Sequence, residues 1–338
     1  MIERWISNEL TLKRWKRFRS SRRAIISVWF LVILSFFSIT AEMWANSRPI
    51  FLHYQGKNYF PIVSQYVGSE FGRDDLVVMD YRQLKLGKND FSAWPILNWD
   101  PYESNNSVES FPSGPSRDNI FGTDDRGRDV AARLLYGFRY SMGYAVMVWV
   151  TTSILGLIFG ALMGFYGGWV DLVGQRVIEV MESLPWLLLL ITIISIFGSG
   201  FWLLVALTSI FGWIGVSLYI RGEFLRLRKR EFVEAARALG GNKNRQIFKH
   251  ILPNSLTPWL TMSPFIISGG ITGLAALDFL GFGLPAPTPS WGELLDQAYK
   301  NFTIAWWLAV FPSAALFLTL VSSNLIGEGV RDALDPRK

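Results

Sequence analysis

An all-α integral membrane protein of six spans, with one long insertion between the first and second, is the fold class this sequence predicts, and three observations lead there. Of the 338 residues, 50% are hydrophobic, 15% aromatic and only 18% charged, and the mean hydropathy is +0.26, a composition typical of membrane proteins. Long stretches carry no ionisable side chain, and crossing hydrocarbon takes about 20 such residues. The basic residues of a chain with net charge +6 gather beside those stretches. The positive-inside rule explains that grouping before nucleic-acid binding does, so nucleic acid is not expected as a partner. With no cysteine in the chain, disulfides, thiolate metal sites and cysteine nucleophiles are ruled out.

The first charge-free run, Ala24 to Ala41, follows a basic segment (residues 1–23) holding Arg4, Lys13, Arg14, Lys16, Arg17, Arg19, Arg22 and Arg23. It is longer than a signal-peptide core, and "SITAEMWANS" offers no clear cleavage site, so it reads as an uncleaved anchor. Residues 42–139 follow, rich in aromatics ("FLHYQGKNYF"), proline and mixed charge. A segment of this size buries only a marginal core by itself and would lean on the membrane part or on a partner. A disordered linker is the alternative, opposed by the number of Tyr, Phe and Trp. Its end, Asp129 to Arg139, has the spacing of a short amphipathic helix entering the second span, with Gly, Thr and Asp before it suited to a turn and an N-cap. An interfacial tether accounts for it.

The second span, Tyr140 to Val170, carries Gly156, Gly160, Gly164 and Gly168. Four residues are close to one helical turn, so the four glycines form a stripe on which another backbone can pack closely. The next run, Ser183 to Ile220, would measure about 57 Å as one helix, nearly twice the hydrocarbon thickness. It must be two spans, parted at "FGSGF", Phe197 to Phe201. Ile251 to Leu277 and Asn301 to Gly327 complete the six. Eight basic residues precede the first span and nine lie between Arg221 and Lys249, against Lys300 alone between the fifth and sixth. Both termini and the Arg221 to Lys249 loop are therefore expected in the cytoplasm and residues 42–139 outside.

Ionisable groups inside the spans are scarce. Asp278 closes the fifth span just before "FLGFGLPAPTPSWG" and reads as an interfacial acid, while Glu179 and Glu182 stand at the entrance to the third. A secondary carrier coupled to protons or sodium usually keeps acids, histidines or broken helices at the midplane, which are not visible here. The two histidines, His53 and His250, fall in different compartments under this topology. No G-x-x-x-x-G-K-[S/T] loop occurs, "LGKN" at Leu86 to Asn89 being the nearest approach, so the chain is not expected to hydrolyse ATP or to bind a cofactor or metal itself.

The loop at residues 221–253 runs into "EFVEAARALGGNKNRQIFKHILPN", Glu231 to Asn254. Glu223 to Leu239 reads as one helix, stopped by Gly240 and Gly241, and a second helix runs from about Asn244 until Pro253 forces a break. Ala235 and Ala236 leave the first helix thin on one side. Periodicity alone fits equally an elbow shaped for a groove in another protein and a basic helix lying on anionic lipid.

The segment from Glu234 to Asn254 resembles the EAA loop of ABC importer permeases, with Glu234, Ala235, Ala236, Gly240, Gly241, Leu252 and Pro253 on its motif. "GTDDRGRDVAARLLYGFR", "GFYGGWVDL", "LDFLGFGLPAPTPSWGELL" and "VRDALDP" are similar to further blocks of the dipeptide and oligopeptide permease C-subunit type, covering Phe121 to Pro336. Arg48 to Gly72 resembles the extended periplasmic segment of the YejE-type branch, associated with uptake of oligopeptides and the peptide-nucleotide microcin C. The run "LRLRKREF" before the motif is more basic than the family pattern, which suggests stronger lipid contact.

That resemblance implies a type I ABC importer permease fold whose helices (residues 140–338 with the first span, 24–41) form half of a peptide pathway. Its partners would be a homologous second permease subunit (YejB-like), cytoplasmic ABC ATPase subunits (YejF-like) that carry ATP and Mg, and a periplasmic peptide-binding protein (YejA-like), all beside membrane lipid. The rivals from other classes are an ion-coupled secondary transporter and a non-transporting membrane scaffold.

Overall fold

The computed structural model describes residues 9–73 and 79–335; Arg4 and Pro336 lie outside them. Amphipathic α1 (Glu9–Ser20) leads into α2 (Arg22–Ile39), the first span, and a single turn, α3 (Ala41–Trp44). After the insertion come α4 (Val130–Tyr166), α5 (Gly168–Ser183), α6 (Trp186–Phe197) and α7 (Phe201–Leu227). Short α8 (Glu231–Ala238) and α9 (Lys243–Arg245) precede α10 (Leu252–Phe279), α11 (Trp291–Lys300) and α12 (Trp306–Leu334). Among the described residues, five helices are long and apolar enough to cross a membrane, and α5 with α6, bent by 69° at their break, meets the same test only as a pair.

The bend falls at Leu184 and Pro185, because proline has no N–H to continue the α5 ladder and disfavours helix in the residue before it. The helix pair that holds the third charge-free run thus begins earlier than that run, while "FGSGF" parts α6 from α7 where expected, with Gly198 at φ +82. Residues Asp129 to Arg139 are the first turns of one continuous α4 rather than a separate helix, and Asp129 caps it by accepting from the Ala132 amide at 2.7 Å.

Close contact between α4 and α7 organises the bundle. An added Cβ at Gly156 would lie 2.3 Å from Val216 Cβ, at Gly160 2.5 Å from the Ser217 carbonyl, and at Gly164 2.5 Å from Phe224 Cβ. The two helices therefore run parallel with almost no side chain between them. Gly168 departs from the expected stripe: α4 has already ended, and Gly167 (φ +65) and Gly168 (φ +53) make the turn into α5, with nothing within 4 Å of a Cβ on Gly168. Its service is backbone freedom, not packing.

The described residues of the insertion are folded, against the disordered-linker alternative. It adds a small antiparallel sheet to the otherwise helical chain: β1 (Phe51–Tyr54) is central, flanked by β2 (Lys57–Tyr59) and β3 (Phe91–Ala93). Phe71 sits in its core with the rings of Tyr54, Tyr59 and Tyr81 at 5.7, 4.9 and 5.7 Å, an aromatic cluster that supplies the apolar area so small a unit needs.

Candidate functional site

The elbow between α7 and α10 differs from its expected form in two ways. Instead of one helix from Glu223 to Leu239, α7 stops at Leu227 and α8 begins at Glu231. Phe224 and Val233 are both fully buried in one cluster with Ile251 and Trp259. Nine residues apart, they would point to opposite sides of a straight helix at about 100° per residue, so the helix must break for Val233 to reach the core. Pro253 does not end the second helix either. It occupies the first turn of α10, where proline is tolerated, and the wider π turn Gln246–Ile251 precedes it where its ring would meet the Lys249 carbonyl. The second arm of the elbow is therefore the continuous extension of a membrane span.

Between the arms lies a glycine corner of defined chemistry. The Gly240 amide donates to the Arg237 carbonyl at 3.0 Å and the Gly241 amide to that of Ala236 at 2.8 Å, with Gly240 at φ +77. This is a Schellman ending, which satisfies the last carbonyls of α8. Asn242 then caps the next helix by accepting from the Arg245 amide at 2.8 Å, and the Gln246 side chain donates back to the Gly241 carbonyl at 2.8 Å. The corner is rigid by construction.

What the elbow shows to solvent is mixed. Glu234, Ala235 and Gly240 are exposed, as is Pro253, while Ala236, Gly241 and Leu252 are half-buried. Leu239 at the tip is 89% exposed and Phe248 65%. These apolar side chains stand in solvent on an elbow of mixed charge, with Glu231 and Glu234 exposed among the exposed bases Lys229, Arg230, Arg237, Lys243, Arg245 and Lys249.

The family comparison fits that geometry. Residues 156–338, which include the elbow and most of the bundle, match the binding-protein-dependent transport system inner membrane component family. The chain belongs to this permease family. Its residues 12–61 also match the N-terminal TM domain of oligopeptide transport permease C. The permease is 42% identical to the inner membrane ABC transporter permease protein YejE of Escherichia coli K12, over 96% of both chains. It is 36% identical to the peptidoglycan transport system permease protein YejE of Agrobacterium fabrum, over 99% of this chain and 94% of that one. To the glutathione transport system permease protein GsiD of Pectobacterium atrosepticum it is 36% identical, over 70% and 79%. Membership removes the ion-coupled carrier and the passive scaffold as readings of the permease.

Two features of the permease escape its sequence. Where the insertion meets the bundle, Arg128 Nε lies 2.7 Å from Asp124 and its guanidinium 3.1 Å from Glu293 of α11, while Arg133 pairs with Glu293 and donates to the Pro101 carbonyl at 3.0 Å. Burial raises the Asp129 carboxyl above the usual range, opposed by the bonds it accepts from Ala132 and Asn119. The tether expected there is thus a buried ionic joint. Asp278 takes part from α10: it is buried and accepts from the Leu284 amide at 2.6 Å and the Ser290 hydroxyl at 2.5 Å, holding the entry to α11. On the insertion itself, a polar cleft of about 530 Å³ is bordered by Arg82, Trp99 and Glu103, with the guanidinium 3.8 Å above the indole. The sequence signal for the joint was the alternation in "DDRGRD", and none marked the cleft. Among the described residues no three His, Cys, Asp or Glu side chains are grouped to hold a metal.

Proposed function

We propose that this permease forms half of the translocation pathway of a peptide importer, with the elbow as the docking site of a separate ABC ATPase. Its fellow subunits would be a second, homologous permease of YejB type, ATPase subunits of YejF type that bind and hydrolyse ATP with Mg, and a peptide-binding protein of YejA type. The single observation that carries the reading is the exposure of Leu239 and Phe248 on an elbow whose glycine corner is fixed by its own hydrogen bonds. Apolar side chains held out on a capped corner suit a groove in another protein, and exposed charges of both signs around them offer that groove electrostatic complementarity.

In this reading the termini and elbow lie in the cytoplasm, residues 42–139 lie outside, and the insertion with its polar cleft receives the binding protein. ATP binding by the partner displaces the elbow, and because its second arm continues into α10, the displacement enters the membrane directly. Amide-linked substrates are the class favoured by the company the chain keeps, since similar permeases are named for peptidoglycan, glutathione and dipeptide transport; microcin C-like peptide conjugates belong to the same chemistry.

The test is purification of the chain from its native membrane in mild detergent beside Glu234→Lys. An ATPase that accompanies the native chain and is lost from the variant is the expected result. A folded native chain that never holds an ATPase would sink the proposal.

A further inference from the structure

Arg228 closes α7, and its side chain turns away from the exposed face of the elbow. Its Nη1 donates to the carbonyls of Gly164 and Phe165, both at 3.1 Å. These belong to the last turn of α4, whose carbonyls no intrahelical N–H can reach. The fit is tight on its other side: a Cβ added to Gly167 would lie 3.0 Å from the same Nη1. Two turns earlier on the same face of α7, Arg221 holds Asp171 of α5 through bonds of 2.5 and 2.7 Å. From the far arm of the elbow, Lys243 Nζ stands 5.3 Å from the ring centre of Tyr166, the last residue of α4. Three cations from the elbow and its approach thus grip one corner, the α4–α5 turn.

No short covalent path joins that corner to the elbow, since the chain between them runs through α5, α6 and α7. The glycine stripe holds α4 against α7 by close van der Waals contact, which is strong in sum but fixes no rotation. Hydrogen bonds to two defined carbonyls do fix one. We infer that Arg228 is a positioning residue that makes the α4–α5 corner move with the elbow as one body, so that a displacement imposed on α8 is delivered to α4 as well as to α10. The inference rests on the elbow being the docking site. It also gives the basic run "LRLRKREF" a different meaning from lipid contact: Arg228 faces inward, and Lys229 and Arg230 face out.

The chain has no cysteine, so a pair introduced into it can be labelled on the purified chain before the importer is assembled, without background from this subunit. Trp169, 81% exposed beside the corner, and Asn244, exposed on the elbow, are replaced by cysteine and spin-labelled, and the labelled chain is assembled into the importer. Their separation is measured without nucleotide and with ATP and vanadate, and uptake of radiolabelled trialanine into proteoliposomes is measured against ATP hydrolysed. In the native background the separation should be narrow and unchanged by nucleotide. Arg228→Gln should keep its ATPase and hydrolyse ATP, yet show a broadened, nucleotide-dependent separation and roughly tenfold less transport per ATP; Arg228→Lys should stay near native. A native separation that changes with nucleotide overturns the inference, as does an Arg228→Gln protein with native separation and native transport per ATP. Parallel loss of the ATPase and of thermal stability in that variant overturns it too, leaving a residue that only holds the fold. A native complex without any ATPase is a different failure, that of the docking site itself, and takes the inference with it.

Discussion

At the insertion end of the bundle, Arg128 and Arg133 are 2% and 0% exposed and share Asp124 and Glu293 between them. At the elbow end, a similar wealth of arginine and glutamate in "RLRKREFVEAAR" leaves Glu231, Glu234 and Arg237 in solvent. The contrast lies in what each end leaves undecided. Buried charges admit one arrangement, because separating any pair strands an uncompensated ion in the interior. Exposed charges beside an apolar tip leave the final arrangement to whatever binds. The same residue types thus build a joint at one end and a handle at the other, and the joint ties the insertion to α11 and to the first turns of α4, at the end of that helix away from the elbow.

The sharpest way to break that contrast is to remove one cation at each end. Arg133→Leu leaves Arg128 as the one arginine for two acids, Asp124 and Glu293, and takes the donor from the Pro101 carbonyl; it should destabilise the protein by about 3–5 kcal/mol, read as a large fall in melting temperature in detergent. Arg230→Gln, at the exposed elbow, should stay within about 0.5 kcal/mol. Equal effects would mean that the two ends are not built differently. A second pair tests the seam between them. Gly160→Ala places a methyl 2.5 Å from the Ser217 carbonyl and should cost about 1–3 kcal/mol by overpacking. Gly143→Ala, on the same helix with nothing within 4 Å, should instead raise stability by about 0.5–1 kcal/mol through helix propensity.

Much of this architecture was legible because membrane spans leave a strong signal. The charge-free runs located the five long apolar helices and the α6 half of the bent pair, and the two glycines of "FGSGF" marked the turn between α6 and α7. What stayed hidden depended on distant partners. Gly168 continues the four-residue spacing perfectly, yet it lies past the end of α4, since nothing in the spacing shows that Gly167 has already left the helix. The break at Leu227 follows from Val233 needing a cluster that Trp259 and Ile251 complete from another helix. Arg128 and Arg133 fell in what read as an interfacial tether because Glu293, 165 and 160 residues away, gives no local sign of meeting them. Arg221 and Arg228 did leave one trace: a spacing of seven puts both on one face of α7.

Smaller effects separate the ends further. At the elbow, Gly240→Ala forces a methyl-bearing residue into a φ of +77 and should cost about 1–2 kcal/mol locally. That strain should appear as weaker ATPase retention, with little change in the melting temperature of the bundle. The least effect is expected from Glu42, beside the joint but half in solvent. Arg139 donates to both its carboxylate oxygens, at 2.8 and 2.9 Å, and to the Ser38 carbonyl at 2.7 Å. The bond from Arg139 holds the Glu42 carboxyl below the ordinary value of 4.5, against the opposing effect of burial. A folded-state value below the unfolded one means that the stabilisation is present above about pH 4.5 and disappears as pH falls through the lowered value. Solvent screening limits it to about 0.5 kcal/mol. Glu42→Gln keeps the contact between Arg139 and Ser38, so the variant should fold and lose only this contribution. Melting curves from pH 6 down to pH 3 should therefore converge for the two proteins on the acid side, the native being the more stable above. A native advantage that persists undiminished at pH 3 would show that the pair acts through shape rather than charge, and that this edge of the joint is packed rather than ionic.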